Sequence, residues 1–217
     1  QDVTVSLTEI QPQSVLRDFE NLPGVLAVEG QRNLDVRAHL GPRNKRLQIS
    51  GLPAKQGLYL VYDDAGGAID LPPDGLVIST KLAEILGAKT GDRIELEVLE
   101  GQRPVVEVPV VRVFNTYIGY PAYMRAEAIN RMMRETNVVN TVHLRIDPNR
   151  QAALFARLKD TPHVSSVTLR QAAIDIFNET MAKTVLVFIG MFAGFASALA
   201  IGVVYNSARI ALSERGR

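Results

Sequence analysis

Apolar residues along this chain recur with two periods, and its elements change where one period gives way to the other. Val3, Val5 and Leu7 alternate with polar neighbours, the signature of a strand with one buried face. Val15, Leu16 and Phe19 then recur at i, i+1 and i+4, which predicts an amphipathic helix. Pro23 ends that helix, and Val25 and Val28 open a second strand. The same order returns without a gap at a constant offset of 139 residues. Val142, Leu144 and Ile146 match the first set, Leu154, Phe155 and Leu158 the second, and Pro162, Val164 and Val167 the third. Two strand–helix–strand halves predict an α+β class and a ferredoxin-like layer, a sheet covered on one face by two helices. The layer is assigned residues 1–50 and 138–172.

The stretch between the halves, 51–137, has a different texture. Asp63-Asp64-Ala65-Gly66-Gly67 and Leu71-Pro72-Pro73-Asp74-Gly75 are turn sequences. Leu76–Ser79 reads as a strand, and Thr80–Leu86 as a short helix closed by Gly87. Arg93–Leu99 alternates, Glu100–Arg103 turns the chain, and Val105–Phe114 returns, with Pro104 and Pro109 suggesting an edge or a bulge. A helix is expected around Ala126–Glu135. The sum is a small antiparallel β-barrel inserted into the layer.

A third texture begins after a linker helix at 173–183. Thr184–Ala208 is 25 residues without a charge, enough to span a bilayer as a helix. Gly190, Gly194, Ala198 and Gly202 sit four apart on one face, the spacing that lets membrane helices pack closely. Beyond the span stand Arg209, Arg215 and Arg217 against Glu214 alone. Of 24 basic and 23 acidic residues in all, this leaves 21 and 22 before the span. Positive-inside bias places the tail, 209–217, in the cytoplasm and residues 1 to about 180 outside. The chain opens at Gln1 with no targeting segment and stops at Arg217 within an amphipathic helix pattern, so an earlier span before Gln1 and more chain after Arg217 are expected.

Composition narrows the chemistry. At 47% hydrophobic and 22% charged residues, the 217-residue chain is no disordered tail. Its net charge of +1 argues against a general nucleic-acid binder. With no cysteine, disulfides, thiolate metal sites and a cysteine nucleophile are excluded. Gly87-Ala88-Lys89-Thr90-Gly91 lacks the order of a phosphate loop and reads as a turn between helix and strand. His39, His143 and His163 are scattered, and Asp63, Asp64, Asp70 and Asp74 lack calcium-loop order. No acid–base or nucleophile set converges, so no catalytic residue, metal or cofactor is expected and an enzyme is disfavoured.

Two surface features stand out. Tyr117, Tyr120 and Tyr123 fall within ten residues, a candidate contact for a partner or lipid interface. They could equally cap the barrel core. Arg32, Arg37, Arg43, Lys45 and Arg46 form a basic run opposed by Asp35, read as a solvated face with a lipid-headgroup contact as the alternative.

The tail stretch Glu214-Arg215-x-Arg217, directly after the span, resembles the start of the cytoplasmic segment in FtsX-like (MacB-type) permeases of ABC transporters. Gly75-Leu76-Val77-Ile78-Ser79 and Gly91-Asp92-Arg93-Ile94 look like that family's small barrel, and Leu22-Pro23-Gly24-Val25 like its helix–strand junction. The resemblance implies a permease subunit of the bacterial inner membrane whose nucleotide chemistry lies on a separate ABC ATPase subunit or domain. It implies a second permease copy or half, and an extracytoplasmic domain that moves with the ATPase to export or extract a substrate such as a lipid or lipoprotein. It assigns Glu214, Arg215 and Arg217 to ATPase coupling, and Gly190, Gly194 and Gly202 to helix packing. Two other readings stay open: a single-span sensor, and a module recruiting an extracytoplasmic partner such as a cell-wall enzyme.

Overall fold

The computed structural model describes residues 2–55, 57–159, 161, 163–169, 180–197 and 199–202. The chain divides into two units, Gln1–Arg170 and Gln171–Arg217.

In the first unit, β1 (Asp2–Pro12) leads through a short turn of 3-10 helix into α1 (Leu16–Glu20) and then β2 (Val25–Leu40). The second half repeats the order with β8 (Val138–Ile146), α4 (Gln151–Lys159) and β9 (Val164–Leu169). These strands lie in the order β2-β8-β1-β9, every neighbour antiparallel. Val28 and Gly30 of β2 pair with Leu144 and Val142 of β8. At the 139-residue offset the same register recurs, with Val167 and Leu169 of β9 pairing with Val5 and Val3 of β1. In the centre Thr4 faces His143, its own equivalent in the repeat. The alternation sends Val3, Val5, Val142 and Leu144 to one side, where they bury with Phe19, Leu154 and Leu158 from the helices. Thr4 and His143 take the opposite side and hydrogen-bond there.

Between the halves come β3 (Arg43–Leu52), β4 (Leu76–Ser79), α2 (Thr80–Leu86), β5 (Arg93–Val98), β6 (Val105–Phe114), β7 (Ala122–Arg125) and α3 (Ala126–Met133). The strands β3-β7-β4-β6-β5-β2 follow one another, and β2 also pairs with β3, so six of the described strands close a barrel. Two of its pairings, β3–β7 and β4–β6, are parallel. The expectation of an antiparallel barrel is corrected on this point. Alternation marks a strand without saying which neighbour it will find, and β4 and β7 reach theirs across long connections. Pro109 does not mark an edge, because β6 pairs on both sides; its register shifts instead opposite Leu76/Val77. The alternating Leu34, Val36, Ile94, Leu96 and Val98 fill the interior. The segment α2 shows why its bounds were readable. The Ser79 hydroxyl accepts the Leu82 N–H at 3.3 Å at one end, and Gly87 adopts φ 72° at the other.

The barrel also draws on the β2–β3 hairpin, which the sequence reading places in the layer. Residues 25–31 of β2 pair with the layer strand β8, and residues 32–40 with the barrel strand β3. A single strand of 16 residues therefore runs through both, about 50 Å long at 3.3 Å per residue.

In the second unit, α5 (Thr180–Gly202) is a helix of 23 residues, long and apolar enough to cross a membrane. At 1.5 Å per residue it measures about 35 Å, against about 30 Å of bilayer hydrocarbon. Residues 173–179 of the expected linker helix, 203–208 of the expected span and the tail 209–217 lie outside the described residues.

Candidate functional site

The first and last strands of the first unit meet at one end of the layer. Val3, near the start of β1, pairs with Leu169, the last residue of β9. β2 runs from the layer into the barrel.

Where β2 passes from one to the other, Arg32 is fully buried. Its parity follows Leu34, Val36 and Ala38, all core-facing, so strand geometry aims it inward. Glu135, after α3, accepts its Nε at 3.0 Å and its Nη2 at 3.1 Å, a two-pronged pair. Glu100, in the β5–β6 turn, accepts Nη2 at 2.6 Å, and the Asn33 carbonyl accepts Nη1 at 2.6 Å. Burial alone would lower the proton affinity of this guanidinium. Hydrogen bonds and charge from Glu135 and Glu100 outweigh it and hold the pKa above its ordinary value. Gly51 of β3 is required here, because a Cβ would stand 2.5 Å from the Arg32 carbonyl oxygen.

Next to Arg32 a polar chain ties the joint to the layer. The Asn33 N–H donates to Asn140 Oδ1 at 2.7 Å, and Asn140 Nδ2 donates to the Asn33 carbonyl at 2.8 Å. Gln31 Nε2 donates to Asn33 Oδ1, while Gln31 Oε1 accepts from His143 Nε2. With that nitrogen donating, His143 Nδ1 accepts from the Thr4 hydroxyl at 3.1 Å.

A strap, residues 53–55 and 57–75, crosses the same junction. Glu29 of β2 accepts the backbone N–H groups of Gly57 and Leu58 at 2.6 and 2.7 Å, and Tyr59 stacks on the His143 ring at 5.1 Å. Farther along, Val61, Ile69 and Leu71 bury with Tyr123 and Phe114 against the barrel. The layer and the barrel are thus joined by a continuous strand, the Gln31–Asn33–Asn140–His143 polar chain and a strap, with the buried Arg32 cluster where β2 enters the barrel.

The predicted site residues fall in different places. Arg32 is not part of a solvated basic face; it is the centre of the joint. Tyr117 is 84% exposed, as is Ile118, and its hydroxyl donates to the Asp64 carbonyl at 2.9 Å. Tyr120 is exposed with Lys45 Nζ 4.6 Å above its ring. Tyr123 is 9% exposed, and burial, with Tyr59 beside it, pushes its phenol pKa up. It therefore offers no contact surface: its position in β7 turns it inward. Gly190, Gly194 and Gly202 have open space around them on α5. Glu214, Arg215 and Arg217 lie outside the described residues. Sequence reasoning missed the joint, although the parity of Arg32 already assigned a cation to the core, where it requires acidic partners.

Comparison by sequence finds no matching family model and no matching curated protein. By structure, the chain is similar to the periplasmic region of MacB from Actinobacillus actinomycetemcomitans. The TM-score is 0.50 at 10% identity, over 82% of this chain and 92% of that one. It is also similar to the extracellular domain of the noncanonic ABC-type transporter YknZ from Gram-positive bacteria. There the TM-score is 0.49 at 13% identity, over 76% of this chain and 100% of that one. The likeness to the periplasmic region of MacB, at 10% identity, is one of fold.

Proposed function

We propose that this chain is the extracytoplasmic domain, with the membrane span that follows it, of an ABC transporter permease subunit, and that it carries ATPase-driven motion outward. The observation that carries the reading is the joint. Motion applied where Val3 meets Leu169 enters the layer, and β2, the Arg32 cluster and the strap pass it to the barrel as a rigid body. The fold shared with the periplasmic region of MacB supports the same reading. We read the order β2-β8-β1-β9, with α1 and α4 as crossovers, as two ferredoxin-like βαβ halves; the matched registers support it.

In this account residues 1 to about 180 lie outside the inner membrane and the tail lies in the cytoplasm. Glu214, Arg215 and Arg217 couple to a separate ABC ATPase. Gly190, Gly194 and Gly202 pack the span against other helices, including those of a second permease copy or half. The cargo is a lipid-like or lipoprotein substrate. The exposure of Tyr117 and Ile118 favours a second reading, in which the same motion acts on a docked extracytoplasmic protein such as a cell-wall enzyme.

The test is recovery of the full-length protein from native membranes through a tag on its C-terminal side, with identification of what accompanies it. A stoichiometric ABC ATPase is expected. Absence of one, with none fused in the same polypeptide, would refute the coupling account and leave the sensor or the recruitment module.

A further inference from the structure

The layer has two outer strands, residues 25–31 of β2 and β9, and the 139-residue offset makes them equivalents. Val28 corresponds to Val167, Glu29 to Thr168 and Gly30 to Leu169. An outer strand presents unpaired N–H and C=O groups, and natural proteins block such edges with charge, proline, bulges or a covering segment. On β2 the block is evident. Its register shifts between Val25 and Ala27, Glu29 is charged, and the strap is fastened to that glutamate. On β9 a register shift at Ser165 is the one such feature among the described residues, with no covering segment. Val164–Leu169 contains no charge and no proline, and past a register shift at Ser165 the run Ser166–Leu169 is regular. Among the described residues β9 pairs with β1 alone.

Beside this edge, α4 overhangs a groove of about 410 Å³ lined by Phe155, Leu158, Val164 and Val167, with Lys159 at its rim. The surrounding crossover, residues 148–169, carries Arg150, Arg157 and Lys159 against Asp160. A second copy docking here would bring its own Arg157 and Lys159 against these cations, which disfavours it. An acidic segment finds the opposite sign.

We propose that β9 and the α4 groove take up an extended acidic segment of another protein as an added strand. Backbone groups of Ser166–Leu169 supply the hydrogen bonds, the groove between Phe155 and Val167 takes an apolar side chain, and Lys159 meets a carboxylate. This assignment needs only the sheet edge and does not rest on ATPase coupling, so either can fail alone.

The probe is a fluorescent synthetic peptide of alternating valine and threonine with an aspartate pair at one end, titrated into the full chain in lipid nanodiscs. Saturable binding is expected, with slowed amide exchange at Ser166–Leu169. Lys159→Glu, an exposed substitution that leaves the fold intact, weakens binding about tenfold and restores it for a peptide carrying lysines instead of aspartates. Binding indifferent to Lys159→Glu, or exchange unchanged at β9, overturns the proposal. So does protection already present in the free chain: if dilution removes it the occupant is a second copy, and if dilution does not, a segment of the chain itself.

Discussion

The joint at Arg32 makes a prediction whose sign depends on which partner is removed. Arg32 has 0% of its side chain exposed, whereas Glu135 and Glu100 retain 21% and 30%. Replacing both glutamates by glutamine keeps the shape and most hydrogen bonds, but leaves a guanidinium buried without a counter-charge. Stranding a buried charge in this way costs about 3–5 kcal/mol. Arg32→Met removes the cation instead. The two glutamates it abandons already touch water and can hydrate, so the cost falls to about 1–3 kcal/mol, the range for a lost buried hydrogen-bonding group. Urea unfolding of the chain in micelles, followed by circular dichroism, measures both. With a slope of about 2 kcal/mol per molar, the Glu100→Gln/Glu135→Gln double variant should lower the midpoint by about 2 M, and Arg32→Met by about half that. If Arg32→Met costs as much as the double variant, the arginine acts through packing. If the double variant is neutral, the cluster is no joint at all.

Three further outcomes are expected. Because burial raises the Tyr123 pKa, the folded state holds the neutral phenol while the unfolded chain ionises near pH 10. Stability from this group is therefore complete below about pH 10 and declines above it, and Tyr123→Phe should flatten that alkaline decline in thermal melts. Tyr117→Ala and Ile118→Ser, at exposed positions, should change unfolding free energy by less than about 0.5 kcal/mol while weakening capture of any extracytoplasmic partner; a large stability loss would make the loop structural. Glu214→Ala should reduce ATP-coupled transport with the outer domain still folded, and unchanged transport would count against its coupling role.

Much of the architecture was legible because it is local. The alternation of Val3, Val5 and Leu7, the helical spacing of Val15, Leu16 and Phe19, and the prolines that follow are properties of consecutive residues. Their return at a fixed offset is likewise a property of the sequence alone. Ser79 and Gly87 bound α2 through groups three residues or fewer from its ends, and the uncharged run from Thr184 marked the helix now seen at Thr180–Gly202. These features depend on backbone geometry and hydropathy, which a short window of sequence contains.

What tertiary structure decided depends on which strands become neighbours. Closure of the barrel set two parallel pairings that alternation does not encode, and it drew residues 32–40 of β2, together with β3, into the barrel, ahead of the expected boundary near residue 50. It brought Glu100 and Glu135 to Arg32 across 68 and 103 residues, turning an apparent surface cation into a buried joint. It separated Tyr123 from Tyr117, six residues away, by burying one and exposing the other. Among the described residues it left β9 paired with β1 alone, whereas on β2 it fastened the strap to Glu29. Periodicity says that a face is buried; only the long-range closure of the sheet says against what.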